Sequence, residues 1–221
     1  MKLACNAFLK FSVGLAALGA LLFLPAWTWN YPNGWLFLVL LFVPMLVMGI
    51  VMIFRAPELL AKRLDGREKE KAQKGVLALS GLLFPLTFVL SALDYRFGWS
   101  HVPTWCVILC SALFLLGYGI YAEVMRENAY LSRTVEVQKG QRVIDTGLYG
   151  AVRHPMYLAT LLMFLPIPLI LGSFWGLCAM ALYPILIVVR ILDEERVLTE
   201  GLEGYAAYRK KVKYRLIPFV W

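Results

Sequence analysis

Charge is what the apolar parts of this sequence lack. Six runs, at about 11–29, 35–54, 76–93, 103–122, 156–171 and 174–189, hold no Asp, Glu, Lys, Arg or His in their interiors. Ion pathways and proton relays need ionisable groups at membrane depth, which argues against a pump or an ion-coupled transporter. Histidine is scarce as well: only His101 and His154 occur. The four cysteines, Cys5, Cys106, Cys110 and Cys178, lie in or beside apolar runs and form neither a CxxC pair nor a disulfide framework. They are expected to be packing residues, and no metal site is expected. No G-x-G-x-x-G follows a strand; Gly117-Tyr-Gly119 sits in an apolar run and lacks the third glycine, so no dinucleotide-binding Rossmann unit is indicated. Internal repeats and low-complexity linkers are absent too.

What is present is membrane composition. Hydrophobic residues make up 61% of the 221 residues, charged ones 16%, and mean hydropathy is +0.70. The expected fold is all-α, a polytopic membrane protein of about six transmembrane helices, since each run approaches the ~20 residues that cross a bilayer. A single membrane domain, 1–221, is anticipated: N-terminal helices over 1–122, then a chemically active region over 123–221. The first run is longer than a signal-peptide core and lacks a small-x-small cleavage site. Leu3-Ala4-Cys5 resembles a lipoprotein box without an apolar stretch before it, so neither leader is expected. Trp27, Trp29, Tyr31 and Trp35 form an aromatic belt around the turn Tyr31-Pro-Asn-Gly34. Gly172-Ser173 joins the last two runs as a tight hairpin. Between the second and third runs, 56–75 reads as a hydrophilic loop. Another polar segment spans 123–154, and Asp94 falls in a short loop.

Of the 22 Lys and Arg residues, all but Arg96 fall in the N-terminal tail, in 55–74, in 126–153 or from Arg190 onward. Six spans put those segments on one side, which the positive-inside rule makes cytoplasmic, with both termini there. The net charge of +8 is then explained by topology and anionic lipid, and no nucleic-acid partner is expected. The sequence does not specify an oligomeric state.

Every candidate reactive side chain crowds onto that face. Arg153 and His154 precede an apolar helix whose first turn contains Pro155, where a missing N–H costs nothing. Such a helix mouth offers free N–H groups and suits a carboxylate or phosphate; the alternative is that both residues anchor the helix at headgroup level. Arg190 and Glu194 are i, i+4, so they share a helix face, either as a surface ion pair or as paired ligand contacts. Tyr205, Tyr208 and the basic run after them read as a solvated, lipid-binding tail.

Gly147-x-Tyr149-x-x-x-Arg153-His154-Pro155-x-Tyr157, a helical hairpin, Glu194-Glu195-x-x-Leu198, Tyr205-x-x-Tyr208 and Arg215-x-Ile217-Pro218 occur in that order. Together they resemble the isoprenylcysteine carboxyl methyltransferase family, grouped with the phospholipid methyltransferases. The resemblance covers roughly Asn128 to Pro218. It implies S-adenosylmethionine as methyl donor, held in a cytoplasmic pocket built by the C-terminal half. It implies donor contacts at Gln141, Arg142, Val143, Ile144, Tyr149, His154, Pro155, Met156, Tyr157 and Glu194. Gln141 departs from members that carry histidine at that position. Arg190 matches the substrate-contacting arginine, and Arg190 and His154 are the candidate catalytic residues.

A carboxylate acceptor attacks a sulfonium methyl without a general base, and meeting of anion and cation neutralises charge in a water-poor pocket. An amine acceptor would first lose a proton, for which His154 is the one evident base. Scarcity of bases therefore favours carboxyl O-methylation of a lipophilic, isoprenylcysteine-type acceptor entering from the bilayer. The alternatives are phospholipid N-methylation, an NADPH-dependent membrane sterol reductase of the same shape, and a non-catalytic membrane module.

Overall fold

The computed structural model describes residues 2–64, 71–128, 130–131, 137–138 and 140–221. Of the basic residues counted above, Arg67, Lys69, Arg133 and Lys139 lie outside the described residues. Regular structure among the described residues is entirely helical. Four long helices come first: α1 (Lys2–Ala26), α2 (Pro32–Arg55), α4 (Lys71–Phe97) and α5 (Thr104–Glu127), with short α3 (Pro57–Leu64) between α2 and α4. The C-terminal half follows as α6 (Gly147–Ala151), α7 (Pro155–Phe164), α8 (Ile167–Ile170), α9 (Phe174–Met180), α10 (Tyr183–Gly201) and α11 (Tyr205–Lys211).

Among the described residues, five segments are long and apolar enough to cross a membrane: α1, α2, α4, α5 and the α9–α10 stretch. This is an integral, multi-pass membrane architecture. The remaining expected span, Pro155–Ile170, is shorter, about 24 Å at the rise of an α-helix against a hydrocarbon core of about 30 Å. Pro166 and Pro168 account for its break, because each removes a backbone donor from the helical ladder. It nonetheless runs the full height of the bundle. His154 lies at one end. At the other, Asn33 Nδ2 donates to Ile170 O at 2.8 Å and Tyr31 Oη to Leu171 O at 2.7 Å, beside the start of α2. Among the described residues, five long apolar spans are thus accompanied by one shorter apolar helical segment.

Two loop expectations need correction. Residues 57–64 of the expected 56–75 loop are helical, because Pro57 presets a first turn and Leu59 and Leu60 are buried against Met52, Val124 and Met125. Asp94 belongs to α4 and is fully buried. Its carboxylate accepts from Ser100 N at 2.8 Å and from the hydroxyls of Ser100 and Ser173, each at 2.5 Å. These bonds satisfy a carboxylate that burial would otherwise strand. The expected belt surrounds this end, with Tyr31 stacked on Tyr95 and Arg96 set over Trp27.

Small residues bring the helices close, as is usual where lipid supplies no hydrophobic drive between them. A Cβ at Gly117 of α5 would lie 2.6 Å from Met163 Cγ and 2.9 Å from Ala159 O of α7. The α5–α7 contact therefore tolerates no side chain there, and it fixes where Pro155 emerges at the end opposite Asp94. Of the cysteines, Cys110 is buried as a packing residue should be, whereas Cys5 and Cys178 are exposed; all four are free.

Candidate functional site

The polar stretch after α5 is shaped by the end of that helix. Gly147 has φ of +51°, and a Cβ there would fall 1.4 Å from Glu127 Oε1. Only glycine admits both the left-handed backbone and the acid. Glu127 Oε2 then accepts from Leu148 N at 3.1 Å, capping α6. Asn128 Nδ2 donates to Tyr149 Oη at 2.9 Å, and Tyr208 Oη donates to Tyr149 O at 2.7 Å, so Tyr149 is held from both sides.

Arg153 and His154 do not form the open anion site anticipated for a helix mouth. Their backbone N–H groups donate to Tyr214 O at 2.9 Å and Arg215 O at 2.8 Å. Nor are they headgroup anchors, since both are buried. The Arg153 guanidinium reaches Glu195 Oε1 at 2.7 Å through Nε, and Val212 O at 2.9 Å and Lys213 O at 3.1 Å through Nη1. His154 Nε2 lies 3.2 Å from the same Glu195 oxygen, and Arg215 Nε donates to Oε2 at 3.0 Å. A carboxylate only accepts, so the imidazole carries its proton on Nε2. Glu195 is 3% exposed. Three donors meet on it and staple the segment before α7 to α10 and to the chain after α11.

Beside Glu195 on α10, Arg190 and Glu194 form a second arrangement. Arg190 Nε donates to Tyr157 Oη at 3.0 Å, and Tyr157 Oη donates in turn to Glu194 Oε2. The i, i+4 pair does share a face, and a buried tyrosine hydroxyl stands between its two members.

Arg153, His154, Tyr157, Arg190 and Glu194 border one cavity of about 850 Å³, counting its open mouth. Around it the fold gathers Gln141, Arg142, Val143, Ile144, Tyr149, His154, Pro155, Met156, Tyr157, Arg190 and Glu194. Every residue singled out above as a candidate contact is thus in one place. The lining also contains Arg153, placed at the helix mouth by the sequence, and residues that sequence reasoning did not nominate as contacts: Asn128, Tyr130, Leu131, Leu198, Leu202, Tyr205 and Tyr208. The last two correct an expectation. Tyr205 and Tyr208 are buried rather than solvated, packed with Leu202 and Val212 against Val137, Val143 and Leu198. Burial raises both hydroxyls above the ordinary tyrosine value. Their i, i+3 spacing, which puts both rings on one side of α11, was the available signal. Glu195 was part of the Glu194-Glu195-x-x-Leu198 motif but had no role assigned to it.

The chemistry of this lining suits a ligand with both cationic and polar groups. It combines an acid, aromatic side chains and the segment 141–144. It also contains a buried hydroxyl, Tyr205 Oη, with no hydrogen-bond partner among the described residues. No group of three or more potential metal ligands occurs among the described residues.

Comparison with known sequences matches residues 105–203 to the family model described as phospholipid methyltransferase. The match covers somewhat under half of the chain. The matched stretch runs from α5 through α10 and takes in most of the cavity wall. Two curated relatives are similar over part of the chain. A Delta(14)-sterol reductase of Methylotuvimicrobium alcaliphilum is 26% identical over 153 residues, covering 62% of this chain and 36% of that protein. The Delta(14)-sterol reductase TM7SF2 of Mus musculus is 32% identical over 91 residues, covering 40% of this chain and 22% of its own length. The chain therefore spans about a third and about a fifth of the lengths of these relatives. The family-model match supports a membrane methyltransferase.

Proposed function

We propose that this protein is an S-adenosylmethionine-dependent methyltransferase that acts on a lipophilic acceptor at the cytoplasmic membrane face, with both termini on that side. The favoured acceptor is an isoprenylcysteine-type carboxylate. The observation that carries this proposal is the meeting of Arg190 and Glu194 on the Tyr157 hydroxyl within one cavity. A cation suited to an anionic acceptor is thereby held beside an acid suited to a cationic donor.

When bound, S-adenosylmethionine supplies an electrophilic methyl on sulfur, which leaves as a neutral thioether once an acceptor oxygen has taken the methyl. The protein's contribution is alignment and exclusion of water. Tyr157 fixes the guanidinium of Arg190, which grips the acceptor carboxylate. Glu194 holds a cationic or hydroxyl group of the donor. Tyr149 and Tyr157 offer ring faces to positive charge. His154 donates a hydrogen bond through Nε2 to Glu195, which leaves Nδ1 as its one nitrogen able to take a proton. With a single evident base in the cavity wall, an acceptor needing no deprotonation is favoured, a carboxylate over an amine.

Titrating S-adenosylmethionine into purified variants tests these roles. Arg190→Ala is expected to lose turnover of N-acetyl-S-farnesylcysteine by ~10²-fold while donor affinity stays within a few-fold. Glu194→Ala should weaken donor binding itself. Equal effects of the two substitutions on donor affinity would overturn the assignment. Incubation with labelled donor and a total membrane lipid extract identifies the acceptor and separates carboxyl from amine or phospholipid methylation.

A second proposal follows from the relatives, since both are named as sterol reductases. On that alternative the same cavity takes NADPH. Binding measured with both nucleotides separates the two, and a non-catalytic module would bind neither.

A further inference from the structure

Buried polar groups are almost always satisfied, so an exception calls for a cause. Three side-chain atoms among the described residues are buried without a partner: Thr87 Oγ1, Ser91 Oγ and Tyr205 Oη. The two small hydroxyls lie on α4, away from the cavity. Tyr205 differs, because it is 4% exposed and lines the cavity. Its neighbour on the same face of α11, Tyr208, is equally buried but spends its hydroxyl on Tyr149 O at 2.7 Å. Two tyrosines of matching burial therefore differ in one respect, a partner for the oxygen. The ionisable groups that act on the Tyr205 hydroxyl are Glu194, Glu195, Arg153 and Tyr208. Glu195 is already matched by Arg153, His154 and Arg215. Glu194, by contrast, belongs to the cavity lining and is the acid assigned above to the donor.

We infer that Tyr205 is a further donor-binding residue, whose hydroxyl completes its hydrogen bonding on the amino-acid end of the methyl donor, beside Glu194. The inference rests on the proposed methyltransferase function. It assigns the Tyr205 hydroxyl a partner that only a ligand supplies. Removing the oxygen then has opposite consequences in the two states of the protein. In the ligand-free protein it relieves a buried group that lacks a partner, and in the complex it deletes a bond.

The test uses the full-length protein in detergent, with Tyr205→Phe and Tyr208→Phe compared side by side. Ligand-free Tyr205→Phe is expected to melt at or above the wild-type temperature, whereas Tyr208→Phe melts below it. S-adenosylhomocysteine, which keeps the amino-acid end, should bind Tyr205→Phe about three- to tenfold more weakly. 5′-Methylthioadenosine, which lacks that end, should bind wild type and Tyr205→Phe alike. Lower melting of ligand-free Tyr205→Phe, up to failure to fold, overturns the inference, because the hydroxyl would then have a structural partner. So does unchanged S-adenosylhomocysteine affinity, or an equal loss for both nucleosides. If wild type binds neither nucleoside, the methyltransferase proposal itself falls. If wild type binds and turns over normally and only the Tyr205→Phe effects are missing, that proposal stands and this inference alone is lost.

Discussion

The two ends of the helical bundle solve the same problem with different chemistry. Each buries a carboxylate, Asp94 at one end and Glu195 at the other. Asp94 is satisfied by neutral donors, two serine hydroxyls and one backbone N–H, all close to its own helix end or the α8–α9 turn. Glu195 is satisfied by two guanidinium groups and an imidazole drawn from segments 20 to 42 residues away. The neutral solution closes a turn and leaves nothing to spare. The charged one assembles remote segments and turns them into one wall of a cavity. A buried acid surrounded by cations organises more chain than one surrounded by hydroxyls, and it is correspondingly harder to dismantle.

That contrast yields a ranked set of expectations. The largest effect should come from Glu195→Ala, which strands the buried Arg153 and its imidazole neighbour without a counter-charge. Breaking a buried ion pair by removing one partner costs about 3–5 kcal/mol, which should appear as a large fall in melting temperature and loss of donor binding. Asp94→Ala should cost less, about 1–3 kcal/mol, because the orphaned partners are neutral. Thermal denaturation of both variants under the same conditions would break the comparison if their order were reversed. The smallest effect belongs to the surface pair Lys211–Asp145, with Nζ 2.7 Å from Oδ2. The hydrogen bond from Lys211, and then its charge, hold the Asp145 carboxyl below its ordinary value. A lowered folded pKa contributes stability above the unfolded value and loses it as pH falls through the folded one. Wild type should therefore lose slightly more stability than Lys211→Ala as the solution is acidified below about pH 4. Salt should erase the difference. Melting curves across acid pH, at low and high ionic strength, decide it.

Legibility followed the range of the forces involved. Apolar runs and turn residues act locally, so the helices of both halves were readable, as were the belt at Trp27–Trp35 and the hairpin at Gly172-Ser173. The short Pro155–Ile170 span was harder, because its two prolines divide a run whose hydropathy alone looks continuous. In the candidate site, the motif residues around Arg153-His154-Pro155 stood out by type. Their partners did not. Glu194 and Glu195 are chemically identical neighbours, and nothing local says which carboxylate meets Tyr157 and which meets Arg153. Helix register decides, since adjacent residues point about 100° apart.

The sequence by itself determined an all-helical membrane chain, its polar end and the residue types gathered there, because burial of apolar runs and the periodicity of helices are properties of consecutive residues. Only the tertiary structure decided that Arg153 and His154 are committed to Glu195, that Tyr157 stands between Arg190 and Glu194, and that Tyr205 and Tyr208 turn inward. Those outcomes depend on which distant segment arrives against which helix face. Such arrivals are set by packing, as where Gly117 admits α7, and no local pattern encodes them.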